Sequence, residues 1–200
     1  MFPLSPHVLF LYLINFSLIG ILPRIFFKKG GRLHWKWWLT AVPFILSPLF
    51  LLSSFFGIIL PITGYYVETW SSLYAIMSFP LWIGLSVGSI FLIAFTLGTH
   101  RAPVSLWHQE KDTPGQIVTY GAYARIRHPF YAAFLLTLLG AFLFCPHLGT
   151  LFCFVYGFLI MNTTAAREER RLLASEFGSE YAAYMKRSGR FWPRLKGGSG

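Results

Sequence analysis

The sequence predicts an all-α, polytopic membrane protein with about five transmembrane helices and a cytoplasmic, amphipathic C-terminal helix. Its 200 residues are 55% hydrophobic and 19% aromatic but only 12% charged, about half the charged share of a typical soluble domain. The mean hydropathy is +0.56, and long stretches contain no Lys, Arg, Asp or Glu. Because so few charges cannot cover a water-facing surface, the composition excludes a soluble globule and a disordered chain.

Each predicted helix comes from an uncharged stretch. A helix needs about 20 apolar residues to cross about 30 Å of hydrocarbon, and lipid requires the backbone to satisfy its own hydrogen bonds. Residues 1–23 supply one helix, and residues 37–67 and 69–99 supply one each. A turn-forming segment at 145–149 divides the stretch 129–166 into a short helical hairpin. The predicted spans are therefore 4–22, 38–60, 72–98, 129–145 and 149–165.

The basic residues predict the orientation of the chain. All 17 Lys and Arg residues lie in three segments, 24–36, 101–127 and 167–196. Five crossings place these segments on one side of the membrane, which the positive-inside rule makes cytoplasmic. The N-terminus is then outside and the C-terminus inside. This placement accounts for the net charge of +10 without a nucleic-acid partner.

The chain divides into two regions. Residues 1–99 form an N-terminal region of three transmembrane helices, and residues 100–196 form a region that carries the chemistry. The first helix is interpreted as part of the mature protein, since it has no basic n-region or cleavage site. Cys145 and Cys153 lie in or beside apolar spans and are expected to be buried thiols. Residues 197–200, Gly-Gly-Ser-Gly, are interpreted as an artificial linker.

The connection at 100–128 is long enough to be a functional loop. It ends at His128, and Pro129 suits the first turn of the following helix. The positive end of that helix would face the cytoplasm, where it suits a carboxylate-bearing ligand. The alternative is that Arg125, Arg127 and His128 anchor the helix end among lipid headgroups.

The segment 165–187 has the apolar spacing of a helix, interrupted by Gly178. Glu168 and Glu169 lie where the fifth span leaves the membrane. Carboxylates at that depth are functional candidates when they face the interior of a helix bundle. The alternative is a solvated turn in which these acids pair with neighbouring arginines.

Several blocks in the second half resemble the isoprenylcysteine carboxyl methyltransferase family, over roughly residues 108–193. The residues at 118–123 and 127–131 resemble the family's VTxGxYxxxRHPxY block. Those at 168–184, with Glu168, Glu169, Phe177, Gly178 and two tyrosines, resemble its EExxL…FGxxYxxY block. The residues at 190–193 resemble its closing RFxP. Several blocks in order at matching spacing make this resemblance specific.

The resemblance implies an integral-membrane methyltransferase that uses S-adenosylmethionine and acts on a lipophilic or lipid-anchored acceptor. Carried over by position, it implies cofactor contacts by His108, Gln109, Gly115, Gln116, Ile117, Val118, Tyr123, His128, Pro129, Phe130, Tyr131 and Glu168. The chemistry is compatible, because an acid can pair with the cofactor's ammonium and aromatic rings suit its sulfonium. His128 and Glu169 are the predicted catalytic residues, and the proton of an amine or thiol acceptor would pass to His108, His128 or Glu169. No metal is predicted.

The methyl acceptor stays open at this point. Family members typically carry an arginine one turn before the first acid of EExxL, and this chain has Thr164 there. Asn162, Thr164 and Arg167 are the candidate substrate-binding residues. Ala133 stands where the family has a glycine. A carboxylate, a phospholipid amine and a small thiol are all compatible acceptors, and the oligomeric state is open.

Two other classes of protein are compatible with such a chain. One is an NADPH-dependent membrane reductase, although no basic cluster suited to a nucleotide phosphate is evident in the loop. The other is a membrane scaffold without catalytic activity. Binding of S-adenosylmethionine, of NADPH or of neither distinguishes the three hypotheses.

Overall fold

The computed structural model describes residues 36–56, 68–99 and 117–194. These residues form helices α1 (Lys36–Phe55), α2 (Glu68–Thr99), α3 (Pro129–Phe144), α4 (Leu148–Leu173) and α5 (Gly178–Arg187), with a short 3-10 helix at Gly121–Ala124. Within this part of the chain there is no strand, only an isolated parallel bridge between Ile126 and Gly189. The predicted all-α class is therefore confirmed. The first predicted span, the start of the functional loop and the linker lie outside the described residues.

Two of these helices contain segments long and apolar enough to cross a membrane, Ile76–Thr99 in α2 and Leu148–Leu173, the whole of α4. The apolar section of α1, Ala41–Phe50, and α3, at 16 residues, are shorter. At 1.5 Å per residue, α3 is about 24 Å long. The apolar lengths thus support a membrane protein, while the arrangement of five crossings stays a prediction.

The structure shows where the segment after the fifth span is interrupted. The sequence predicts helical spacing over 165–187 with an interruption at Gly178; α4 continues to Leu173, and α5 begins at Gly178. In the turn between them, the hydroxyl of Ser175 donates to the carbonyl oxygen of Leu172 at 2.7 Å. A Cβ atom at Gly178 would overlap the carbonyl oxygen of Leu173. Gly178 therefore permits a tight turn between two helices, which the apolar spacing alone cannot indicate.

Helix α3 forms the centre of the bundle. It packs against α2 and α4, and α1 packs against α4. Phe134, Leu135 and Leu138 of α3 are each 1% exposed, so this helix is apolar on nearly every face. The hydroxyl of Ser89 in α2 donates to the carbonyl oxygen of Ala133 at 2.8 Å. Interhelical bonds of this kind hold apolar helices in register where hydrophobic burial does not select a partner.

The outer faces of α2 and α4 are apolar and exposed. They carry large side chains that include Leu73, Ile76, Val87, Phe91 and Phe95 on α2, and Phe152, Val155 and Leu159 on α4. Apolar exposure on this scale is unusual for a water-soluble monomer. It is the surface expected of helices that face lipid.

Candidate functional site

The candidate site lies at the start of α3, beside the C-terminal half of α4. His128 is the N-cap residue of α3, and Pro129 occupies the first turn, where the absence of an N–H costs no helical hydrogen bond. The imidazole of His128 lies between two neighbouring acids. Its Nδ1 is 3.4 Å from Oε2 of Glu168, and its Nε2 is 3.3 Å from Oε1 of Glu169.

Glu169 is held by two arginines. Its side chain is 3% exposed, and its Oε1 accepts a hydrogen bond from Nε of Arg127 at 2.9 Å. Nε of Arg190 lies 3.2 Å from each carboxylate oxygen, and Nη2 donates to Oε2. A buried carboxylate requires such compensation, because an unpaired buried charge is strongly destabilising.

Glu168 has a different environment. Its side chain is 16% exposed, and its Oε1 accepts a hydrogen bond from the hydroxyl of Tyr131 at 2.8 Å. Among the described residues, its ion-pair partner is His128, and no arginine or lysine forms an ion pair with it. Glu168 is thus the accessible and less neutralised acid of the pair.

Aromatic rings enclose the imidazole. The rings of His128 and Tyr131 are stacked, with centroids 5.4 Å apart and an interplanar angle of 4°. Phe191 approaches both rings edge-on, at 6.2 Å from His128 and 6.5 Å from Tyr131. Phe191 also contacts Phe158 of α4 at 6.2 Å. The aromatic surface thus continues from the site to an outward-facing ring of α4.

The segment after α5 is paired with the loop before α3. The N–H of Arg127 donates to the carbonyl oxygen of Gly189 at 2.8 Å, and the N–H of Gly189 donates to that of Arg125 at 3.0 Å. The hydroxyl of Tyr184 on α5 donates to the carbonyl oxygens of Tyr123 and Ile126. These bonds attach residues 188–194, the closing segment, to the loop. They thereby place Arg190 and Phe191 in the site.

The site's titratable groups are perturbed by burial and by the acids. Burial lowers the pKa of His128, but its contacts with Glu168 and Glu169 more than offset this effect and raise the pKa above its usual value. Burial also raises the pKa of Tyr123, with smaller contributions from Tyr184 and Glu168. The same cause raises the pKa of Tyr184 to about 12. Both tyrosines are therefore neutral at physiological pH, and the two acids shift the equilibrium of His128 toward its protonated form.

The structure brings together Tyr123, His128, Tyr131, Glu168 and Glu169, all of which the sequence predicted. Pro129 and Phe130 are buried in the first turn of α3, and Ile117 and Val118 are half-buried in the preceding loop. His108, Gln109, Gly115 and Gln116 lie outside the described residues.

The three candidate substrate-binding residues do not converge on one point. The amide oxygen of Asn162 accepts a hydrogen bond from Nη1 of Arg190 at 2.6 Å. The hydroxyl of Thr164 donates to the carbonyl oxygen of Ile160 in its own helix at 2.8 Å, and Arg167 is exposed. Only Asn162 is joined by a contact to the cluster around His128.

The sequence predicts no role in the site for Arg190 and Phe191, and for Arg127 it offers only the anchoring of a helix end among lipid headgroups. Arg127 belongs to the RHP block and Arg190 to the RFxP block. Membership of a block does not show which acid an arginine pairs with. Within the described ranges, no group of three or more His, Cys, Asp and Glu side chains is arranged to hold a metal ion. Cys145 and Cys153 are both buried thiols with no disulfide between them, as predicted.

The chain matches no protein-family model. It is similar to the cobalt-zinc-cadmium resistance protein CzcN of Cupriavidus metallidurans, with 34% identity over 118 residues. The match covers 57% of this chain and 54% of that protein. The chain therefore spans about half the length of the relative that it matches.

Proposed function

We propose that this protein is an integral-membrane methyltransferase that transfers a methyl group from S-adenosylmethionine to a lipophilic or membrane-associated acceptor. In the proposed topology the N-terminus is outside, and the cluster around His128 and the C-terminus face the cytoplasm. The water-soluble methyl donor then enters from the cytoplasm, and the acceptor enters from the bilayer. The proposal is supported by the blocks that resemble isoprenylcysteine carboxyl methyltransferases and by the chemistry of the site.

The observation that carries the proposal is the unequal neutralisation of the two neighbouring acids. Glu169 is buried and paired with two guanidinium groups, whereas Glu168 is partly exposed and contacts His128 and the hydroxyl of Tyr131. A partly exposed carboxylate with spare negative charge suits the ammonium of an amino-acid moiety. Two equally buried acids would indicate a structural ion-pair network instead.

The remaining groups of the site suit the other parts of S-adenosylmethionine. The N–H groups at the start of α3 and an imidazole N–H of His128 suit its carboxylate group. The faces of Tyr131 and Tyr123 suit a sulfonium, since aromatic rings attract cations through their quadrupoles. When bound, the cofactor supplies an electrophilic methyl group on sulfur. The protein's own contribution is to hold the reactants together and to exclude water, through positioning and buried aromatic walls.

Of the predicted proton acceptors that the structure describes, His128 is better placed than Glu169. Both oxygens of Glu169 are occupied by guanidinium donors, which hold that carboxylate as an anion and weaken it as a base. The two acids raise the pKa of His128, so His128 must lose a proton before it can accept one. Methylation of an amine or thiol should therefore accelerate as the pH rises through that pKa, whereas a carboxylate acceptor requires no proton removal.

The decisive experiment uses purified protein with methyl-labelled S-adenosylmethionine and a membrane lipid extract. We expect label to enter an organic-soluble product, whose identification gives the acceptor class. Calorimetry in detergent with S-adenosylmethionine and with NADPH is the matched binding assay. Binding of NADPH alone would favour a reductase, and binding of neither would favour a scaffold.

A second candidate function comes from the similarity to CzcN, whose name assigns it to cobalt-zinc-cadmium resistance. Participation in metal tolerance is compatible with methyltransferase activity, since the one names a physiological role and the other a reaction. Growth of a deletion strain at graded cobalt, zinc and cadmium concentrations tests this role. Complementation with the wild type but not with Glu168→Gln would link tolerance to the candidate site.

A further inference from the structure

Arg190 reaches the candidate site from a part of the chain distant in sequence. The parallel bridge between Ile126 and Gly189 fixes the backbone immediately before it, and the N–H of His128 donates to the carbonyl oxygen of Arg190 at 3.0 Å. The side chain of Arg190 then turns toward α4, where it contacts Asn162 and Glu169. The side chain of Arg190 is 31% exposed, whereas that of its partner Glu169 is 3% exposed.

Arg127 and Arg190 together occupy the carboxylate oxygens of Glu169, which affects the hydrogen bonding of His128. Oε1 of Glu169 accepts from Nε of Arg127, and Nε of Arg190 lies 3.2 Å from it. Although Nε2 of His128 is only 3.3 Å from the same oxygen, it makes no aligned hydrogen bond there. Glu169 thus supplies charge to His128 without a strong directional bond.

Arg127 and Arg190 differ in what else they support. Nη1 of Arg127 also donates to the carbonyl oxygen of Ser188, so Arg127 holds the backbone of the closing segment. Among the described residues, the guanidinium of Arg190 bonds only to side chains, those of Asn162 and Glu169. Removal of the Arg190 charge therefore perturbs the site's electrostatics more selectively than removal of Arg127.

We propose that Arg190 is a positioning residue: by neutralising Glu169, it leaves Glu168 as the acid that shares the proton of His128 and receives a cationic ligand. The role of Glu168 toward a ligand rests on the proposed function. The effect of Arg190 on His128 requires no ligand and can be measured separately.

The charge balance around His128 gives the sign of this effect. Glu168 and Glu169 face the imidazole from α4, and Tyr131 stacks on it from α3. Arg127 and Arg190 oppose the acids. The more distant titratable groups are the buried hydroxyls of Tyr123, Tyr181 and Tyr184. Loss of Arg190 leaves an excess negative charge beside the imidazole, which favours the protonated form.

The test is an NMR titration of isotopically labelled histidine in the full-length protein in detergent, with the His128 signal assigned from His128→Gln. Arg190→Gln should move the midpoint of His128 to higher pH. Arg190→Lys keeps the charge and should leave the midpoint near that of the wild type. Arg194→Gln is the matched control, since Arg194 is an exposed arginine of the same segment that donates to the carbonyl oxygen of Lys186.

Two results would overturn the proposal. An unchanged midpoint in Arg190→Gln would mean that its charge does not reach His128. A midpoint that falls toward that of ordinary imidazole would mean that the segment has detached and that Arg190 is merely structural. Glu169→Gln is a second variant, for which the expected shift has the opposite sign. It leaves the charge of Arg190 uncompensated and should lower the midpoint of His128.

Calorimetry with S-adenosylmethionine separates this proposal from the proposed function. If the wild type binds the cofactor, Arg190→Gln should weaken binding several-fold and Arg190→Lys should restore most of it. If the midpoint shifts as expected but the wild type binds no cofactor, the proposed function fails and the positioning role stands. If the wild type binds and the midpoint does not move, the positioning role fails alone.

Discussion

The hydroxyl of Tyr131 donates to a carboxylate oxygen of Glu168 at 2.8 Å, across the interface between α3 and α4. The bond joins the two halves of the helical hairpin at the level of His128, whose ring is stacked on that of Tyr131. A single acid thus contacts the imidazole and the phenol together. A substitution of Glu168 should therefore have the clearest measurable effect on the site.

Substitution Glu168→Gln should weaken the binding of S-adenosylmethionine at least about tenfold, since one charge-assisted contact contributes roughly 1.5–3 kcal/mol. The amide preserves the size of the side chain and still accepts the bond from Tyr131. Calorimetry in detergent measures the affinity. Glu176→Gln, at an exposed acid in the turn before α5, should bind as the wild type does. Equal affinity in both variants would remove Glu168 from the cofactor site.

The stability of the protein should depend on the protonation of His128. Its pKa in the folded protein is raised, so the ion pairs with the two acids contribute fully below the pKa of the unfolded chain, about 6.5. That contribution is lost as the pH rises through the higher folded pKa. Thermal unfolding in detergent across neutral and alkaline pH measures this loss. His128→Asn should flatten the decline in this window, and an equally steep decline in that variant would assign it to other groups.

Phe191→Ala should destabilise the site end of the bundle. Phe191 is 4% exposed and contacts His128, Tyr131 and Phe158, and truncation of a buried phenylalanine costs about 3–5 kcal/mol. We expect a lower melting temperature and weaker cofactor binding together. Trp192→Ala is the control, because the neighbouring Trp192 is 49% exposed. Comparable losses in both variants would contradict a specific role for Phe191.

Substitution by alanine should have opposite effects on stability at Gly178 and at Gly84. Gly178→Ala places a methyl group against the carbonyl oxygen of Leu173 and should destabilise the turn into α5. Gly84→Ala introduces a methyl group with no atom within 4 Å and should stabilise α2 by up to about 1 kcal/mol through its greater helix propensity. Chemical or thermal unfolding in detergent measures both effects. A neutral Gly178→Ala would show that the turn relaxes at little cost.

Much of the helical framework follows from the distribution of charges along the sequence. The start of α3 coincides with its predicted start because Pro129 suits a first turn. The end of α4 does not coincide, because the apolar pattern ends near Ala166 while the helix continues to Leu173. Charged residues extend α4 there, since Glu169 finds its compensation in arginines outside the helix. Hydropathy therefore identifies the apolar core of a helix better than its functional end.

The components of the site were predictable, but their division of roles was not. The resemblance drew attention to His128, Glu168 and Glu169. The contrast between the two acids depends on Arg190, which pairs with Glu169 only because a backbone bridge forms between Ile126 and Gly189. Pairing between segments so far apart in sequence has no local signal in spacing or composition. Tertiary structure therefore decides which acid is neutralised.

The bridge between Ile126 and Gly189 also bears on biosynthesis. The acid–histidine cluster cannot be complete until residues 188–191, which include Arg190, have left the ribosome. A chain cut short before that point would lack the guanidinium of Arg190 beside Glu169. The complete cluster therefore forms only after the helices that surround it have been synthesised.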